Sequence, residues 1–127
     1  IYTCFVASGE PSWSYEVQSE CGDERSDRLR RCESLYGFSA TPLSVGGAVI
    51  TGGLDGRLFV FNSDTGEQLF KFDTAQAFET ANAVKGYGGS IDSHSIAAGS
   101  GMAFVGSDYG SFRQVAGNVL LAFKPSE

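Results

Sequence analysis

The segment from Asn82 to Asp92, NAVKGYGGSID, holds the side chains best suited to chemistry. Asn82, Lys85 and Asp92 bring an amide, an ammonium and a carboxylate into one short stretch, with Gly88, Gly89 and Ser90 between them. A lysine can hold the anionic carboxylate of a cofactor, and an aspartate can act as a base or a metal ligand. Glycines let the backbone approach a ligand closely. Asn82, Lys85, Gly89 and Asp92 are therefore the candidate cofactor-binding residues. The plain alternative is a solvated Lys85 and an Asp92 that caps a turn. No catalytic residue and no metal ligand set can be assigned. His94 is the single histidine, and a triad or a metal site needs several partners. Ser39 and Thr41 open a strand, where they either face inward or serve a turn or ladder.

The elements that must position these residues are announced by a repeat. Ile1–Val17, IYTCFVASGEPSWSYEV, falls without a gap on Leu58–Thr74, LFVFNSDTGEQLFKFDT. Gly9 meets Gly66, Glu10 meets Glu67, Trp13 meets Phe70 and Tyr15 meets Phe72. A third partial copy places Leu120–Phe123 opposite Leu58–Phe61. Repeats of this length signify an array of small units that stack to share a core. Short apolar runs separated by glycine turns such as Asp55-Gly56 and Asp64-Thr65-Gly66 read as β-strands. One full unit has strands at Phe38–Leu43, Ala48–Thr51, Leu58–Phe61 and Gln68–Phe72. A helical tendency is expected only in Ala75–Val84.

Four strands per unit, packed face to face on neighbouring units, make a propeller blade. The expected fold is all-β, a partial β-propeller of about two and a half four-stranded blades. Residues 1–17 supply the last two strands of one blade, and 18–37 form a polar loop. Residues 38–74 are a complete blade, 75–90 a connection, and 91–127 a final incomplete blade. So few strands close no ring, and open blade faces would expose large apolar patches. The chain is expected to be the C-terminal part of a larger propeller. Its partners are then the remaining blades or another protein subunit.

Composition narrows the class. The chain has 127 residues, 42% of them hydrophobic, enough for one packed domain. A net charge of −6 argues against a nucleic-acid partner. The one basic cluster, Arg25, Arg28, Arg30 and Arg31, is interspersed with acids and reads as a solvated loop. No apolar run is long enough for a membrane span. Of three cysteines, Cys21 and Cys32 flank a polar stretch that a disulfide would staple, and their spacing fits neither CxxC redox chemistry nor haem attachment. A disulfide there implies an extracytoplasmic location, whether periplasmic, secreted or lumenal. Cys4, in an apolar strand, is expected to be a buried free thiol.

The unit DGRLFVFNSDTGEQLFKF resembles the repeat of pyrroloquinoline-quinone (PQQ) dependent dehydrogenases and of related propellers such as the outer-membrane assembly lipoprotein. A narrower resemblance, from about Trp13 to Phe123, is to the polyvinyl-alcohol dehydrogenases. It rests on Cys21, Cys32, GFSATP from Gly37 to Pro42, GGLDGRLFVF, FDTAQAFETANAVKGYGGSID, GMAFVGSDYG and GNVLLAF. That family implies a periplasmic quinoprotein alcohol dehydrogenase, with PQQ and calcium on the propeller axis, clamped by residues from many blades. Neither group is assignable to this chain alone. Three positions depart from the pattern: Phe70 replaces a usual Trp, His94 a small residue, and Asp108, beside Tyr109, a glycine. The short chain, the incomplete ring, Phe70 and His94 leave open an alternative, a non-catalytic, propeller-derived structural or docking subunit of a larger extracytoplasmic complex.

Overall fold

A computed structural model describes residues 1–107, 110 and 114–126. Strands β1 (Tyr2–Cys4) and β2 (Pro11–Ser14) form an antiparallel hairpin. Helix α1 (Asp23–Arg28) lies in the polar loop, followed by β3 (Ser39–Ala40). Strands β4 (Leu43–Val45), β5 (Ala48–Gly52), β6 (Arg57–Asn62) and β7 (Gln68–Asp73) then make one four-stranded antiparallel sheet in chain order. The hairpin β8 (Ala77–Glu79) and β9 (Lys85–Tyr87) follows, then β10 (Asp92–Ser93). Strands β11 (Ile96–Gly99), β12 (Met102–Ser107) and β13 (Val119–Phe123) close with a three-stranded antiparallel sheet. The architecture is all-β and partial-propeller-like, as the turn spacing indicates.

The sequence repeat is also a repeat of backbone geometry. The turn of β1–β2 carries Phe5 N–H to Glu10 O at 2.9 Å and Gly9 N–H to Phe5 O at 2.7 Å. The turn of β6–β7 carries the corresponding bonds, Asn62 N–H to Glu67 O at 2.8 Å and Gly66 N–H to Asn62 O at 2.9 Å. Both glycines have positive φ, 71° and 75°, a region that costs a residue with a Cβ about 1 kcal/mol or more. The β4–β5 and β11–β12 hairpins match in the same way. Gly46 and Gly47, and likewise Ser100 and Gly101, all have positive φ, the two-residue turn whose twist suits antiparallel strands.

Alternation along the strands sorts the side chains into two packed faces. Leu58 and Ile50 point from the four-stranded sheet into a core with Ala40, Ile91 and Val105, flanked by Val60, Phe72, Ala103 and Phe123. On the opposite face Phe59 and Phe61 are buried against Trp13, Tyr15 and Phe38. The two faces repeat one contact. Trp13 and Tyr15 of the first unit pack on Phe61, with ring centroids 5.8 and 4.7 Å apart. Phe70 and Phe72 of the second pack on Phe123, at 6.0 and 5.4 Å.

Four expectations need correction. The first strand of the full sheet is Leu43–Val45, not Phe38–Leu43. Pro42 lacks a backbone N–H and cannot donate to a ladder with β5, so the pairing of that sheet begins at Leu43. Phe38 keeps only an isolated bridge to Gly53, while Ser39–Ala40 leaves to pair in parallel with β10. Ala75–Val84 is not helical but starts the β8–β9 hairpin. An isolated helix of that length is marginal, and the strand instead stacks its one large apolar side chain, Phe78, on Phe72 at 6.3 Å. Cys4 is free, as expected, but exposed rather than buried. Its strand, β1, pairs only with β2 among the described residues.

The basic cluster is the fourth correction. Arg25 is buried rather than solvated. Cys21 and Cys32 are disulfide-bonded, with Cα atoms 5.7 Å apart. The loop they close packs Leu29 and Cys32 on Ala75 and Val115. Polar contacts then fasten it to the sheet. Arg25 Nη2 donates to Asp55 Oδ2 at 3.0 Å, and Arg28 Nη2 to Asp73 Oδ2 at 2.7 Å. Arg25 Nη1 also lies against Asp73 Oδ2 as an ion pair whose angles are not those of a hydrogen bond. Arg57 completes the cluster, donating from Nε to Asp55 at 2.6 Å and from Nη2 to the Gln18 carbonyl at 2.6 Å.

Candidate functional site

The inner ends of the two larger sheets meet where β3 and β10 run side by side. Ser39 pairs with Asp92 and Ala40 with Ser93, and Thr41 N–H donates to Ser93 O at 2.7 Å. Each pair of residues immediately precedes a sheet, so the ladder joins equivalent points of successive units. This ladder brings Ser39 and Asp92 together. The Ser39 hydroxyl donates to Asp92 Oδ1, Gln114 Nε2 donates to Oδ2 at 2.7 Å, and Ser93 N–H donates to Oδ1 at 2.7 Å. The Ser39 hydrogen bond holds the Asp92 carboxyl below its ordinary range. Partial burial opposes this, and the Gln114 and Ser93 donors reinforce it. Asp92 is thus a fixed anion at neutral pH with both oxygens engaged, better built to hold a donor or a cation in place than to shuttle a proton.

The glycines before Asp92 serve chain packing. A Cβ on Gly88 would lie 1.7 Å from the Thr74 carbonyl oxygen, and one on Gly89 2.1 Å from that of Val115. Around them runs a buried polar network. The Thr74 hydroxyl lies 2.7 Å from that of Ser107 and donates to the Gly56 carbonyl at 2.7 Å. Gly89 N–H donates to Ser107 Oγ at 2.8 Å. The Ser90 hydroxyl donates to the Leu54 carbonyl and accepts from Val115 N–H at 2.9 Å. These bonds satisfy groups whose burial without partners would cost about 1–3 kcal/mol each. They also fix the start of β10 and hence Asp92.

Asn82 and Lys85 stand apart, on the β8–β9 hairpin, and both are exposed. Asn82 Oδ1 takes up the hydroxyl of Thr80 and, at 3.4 Å, the N–H of Val84, a turn role. His94 is exposed in the turn after β10. Asp108 and Tyr109 lie outside the described residues. Among the described residues no group of three or more His, Cys, Asp or Glu is placed to hold a metal ion. Taken alone, these residues make neither a cradle for a quinone nor a calcium site.

The sequence reading missed Gln114, Thr74, Ser107 and the Arg25–Asp55–Arg57 cluster. For Arg57 a signal was present. Strand alternation puts it on the same face as Phe59 and Phe61, and its guanidinium carbon lies 5.4 Å from the Phe59 ring centroid.

With this geometry in place, comparison with known proteins adds one relationship. The chain is 30% identical over 130 residues to the polyvinylalcohol dehydrogenase of Sphingopyxis sp. (strain 113P3), an alignment covering 93% of this chain. The two are distantly related. The chain spans 19% of that enzyme's length, so the relationship concerns a segment of the enzyme. No family model matches the chain, and no solved structure matches it. No helix of the described residues is long and apolar enough to cross a membrane.

Proposed function

We propose that this chain forms the C-terminal blades of a PQQ-dependent alcohol dehydrogenase-like β-propeller. The observation that carries the reading is the alignment with a polyvinylalcohol dehydrogenase along nearly the whole chain. The packing agrees with it, since the interface Trp13 and Tyr15 make on Phe61 recurs as that of Phe70 and Phe72 on Phe123. In this reading PQQ supplies the hydride chemistry and calcium its electrostatics, with both held by the complete ring. The chain's part is to present Asp92, braced by Ser39 and Gln114, where the inner ends of two blades meet. Lys85 offers a cation on a neighbouring hairpin and Asn82 shapes its turn, while Gly89 lets the backbone pass beneath. The remaining blades are the chain's partners. The Cys21–Cys32 disulfide supports an extracytoplasmic site of action.

The test is reconstitution of the complete propeller polypeptide carrying this segment with PQQ and calcium. The expected result is quinone-dependent reduction of an artificial electron acceptor by an alcohol. The isolated 127-residue chain should show none. A complete polypeptide that neither binds PQQ nor oxidises any alcohol would overturn the reading.

A further inference from the structure

We infer that the Cys21–Cys32 disulfide is a thiol-exchange site, opened by a dithiol with Cys32 as the leaving sulfur, and that its opening releases the brace on Asp92. The two sulfurs have different surroundings. Cys32 is buried, whereas Cys21 is half-buried and is the sulfur an incoming thiolate reaches. Beside Cys32 lies a cavity of about 380 Å³, lined also by Ser26, Arg30, Arg31 and Glu33. Arg25 and Arg28 of the same loop are committed to Asp55 and Asp73. Arg30 and Arg31 are exposed and make no ion pair among the described residues. Two guanidinium groups against the one carboxylate of Glu33 leave the cavity positive, the setting that stabilises a thiolate. The Ser26 hydroxyl donates to the Cys21 carbonyl at 2.7 Å and stands 3.9 Å from Cys32 Sγ, so its proton can turn to that sulfur once it carries charge.

The exchange balances with the dithiol as reductant. Its first thiolate attacks Cys21 Sγ, the sulfur–sulfur bond breaks, and the electron pair leaves with Cys32 as a thiolate. The second thiolate of the dithiol then attacks its own partner sulfur in the mixed disulfide. Cys21 is released, the reagent closes to a cyclic disulfide, and the two protein thiolates take up the two protons the dithiol lost. The pair is the substrate of this exchange and not its catalyst, so the chemistry asks for no CxxC spacing. What the bond holds is the loop beside the site. Helix α1 has six residues, a length that does not persist by itself. Leu29 and Cys32 pack on Ala75 and Val115. Ser90 N–H donates to Val115 O at 2.8 Å, and Val115 N–H to Ser90 Oγ at 2.9 Å. Gln114, the next residue, donates to Asp92 Oδ2 at 2.7 Å. Opening the loop therefore frees the segment that supplies one of the Asp92 donors. This device goes beyond the quinoprotein reading and needs no bound quinone.

The experiment treats the full polypeptide carrying this segment, in its native state, with dithiothreitol at neutral pH and follows Cys21 and Cys32 by alkylation and peptide mass. Reduction should run well ahead of global unfolding. A parallel treatment with mercaptoethanol, quenched in acid and alkylated, should leave the mercaptoethanol adduct on Cys21 and the alkyl group on Cys32. The double variant Arg30→Gln, Arg31→Gln changes only exposed side chains and should keep the unfolding midpoint, yet slow the reduction by about threefold or more. Amide exchange of the reduced polypeptide should quicken severalfold at Val115 and at Ser90–Ser93 while the β5–β6 ladder keeps its protection. Reduction no faster than unfolding would overturn the inference, because the bond would then be a closed staple. An adduct on Cys32, or a double variant reduced as fast as the parent, would overturn the assignment of Cys32 as the leaving sulfur. Equal exchange at Ser90–Ser93 in the oxidised and reduced states would overturn the link to Asp92. None of these readouts involves quinone, so they stand apart from success or failure of the reconstitution.

Discussion

Arg25 reaches across thirty residues to Asp55, its Nη2 lying 3.0 Å from Oδ2 in a place where both side chains are almost wholly buried. Asp55 is shared, because Arg57 Nε reaches the same oxygen at 2.6 Å. The cluster therefore has one buried anion and two buried cations, with Glu20 and Asp73 at its margins. Removing a partner from a buried pair strands the other charge, at about 3–5 kcal/mol. Asp55→Ala removes the buried anion from two guanidinium groups and leaves them only the marginal Asp73 and Glu20, whereas Arg25→Ala leaves Asp55 with Arg57. Urea denaturation should place the cost of Asp55→Ala at about 3–5 kcal/mol and clearly above that of Arg25→Ala. The reverse ranking would show that Asp55 is not the hub.

The glycine run before Asp92 gives a second prediction. Gly88→Ala puts a methyl 1.7 Å from a backbone oxygen of Thr74, where no side-chain rearrangement relieves it. The expected cost is about 3 kcal/mol or more, at the upper end of overpacking. Lys85→Ala, on the exposed hairpin, should change stability by no more than about 0.5 kcal/mol. Thermal melts of the two variants measure both. A Gly88→Ala chain as stable as the parent would return the glycines to a purely ligand-facing role.

The strand framework was legible because the repeat and its turns are local. Gly9 and Gly66 align without a gap, and the structure gives them the same sign of φ and the same hydrogen bonds. What lay between units was harder to read. The Ser39–Asp92 bond joins residues far apart in sequence through a two-residue parallel ladder too short to leave a pattern. Arg25 looked solvated because its neighbours are charged, and the acids that bury it, Asp55 and Asp73, lie in another unit. Gly88 and Gly89 suggested a ligand because sequence shows only that a Cβ is missing, not which carbonyl takes its place.

Reducing the disulfide should loosen the loop more than the blades. Cys21 and Cys32 are 11 residues apart, a closure that restricts the unfolded chain by roughly 2–3 kcal/mol. Leu29 and Cys32 pack on Ala75 and Val115, and Val115 N–H bonds to Ser90 Oγ. Hydrogen exchange after reduction should therefore quicken first in α1 and next in the segment around Val115. The β5–β6 ladder should hold. Uniform quickening across every strand would mean instead that the disulfide supports global stability only.

Acid should weaken the junction between sheets through Asp92. Its folded pKa lies below the ordinary aspartate value, chiefly through the Ser39 hydroxyl, against the opposing effect of burial and with help from Gln114 and Ser93. The sign follows from linkage. A carboxyl whose pKa is depressed on folding stabilises the protein above its unfolded value, about 3.9, and that contribution is lost as pH falls through the folded value. Glu20 behaves in the same direction. Burial raises its pKa, but the Lys71 hydrogen bond and the charges of Lys71, Arg57 and Arg25 outweigh this. Stability should therefore be level near neutral pH and fall below about pH 4. Asp92→Asn should be less stable at neutral pH and lose part of that acid slope. Ser39→Ala should move the Asp92 titration upward towards the ordinary value, which NMR of its carboxyl carbon can follow. A titration unmoved by Ser39→Ala would show that the serine hydroxyl is not what holds the anion at the β3–β10 ladder.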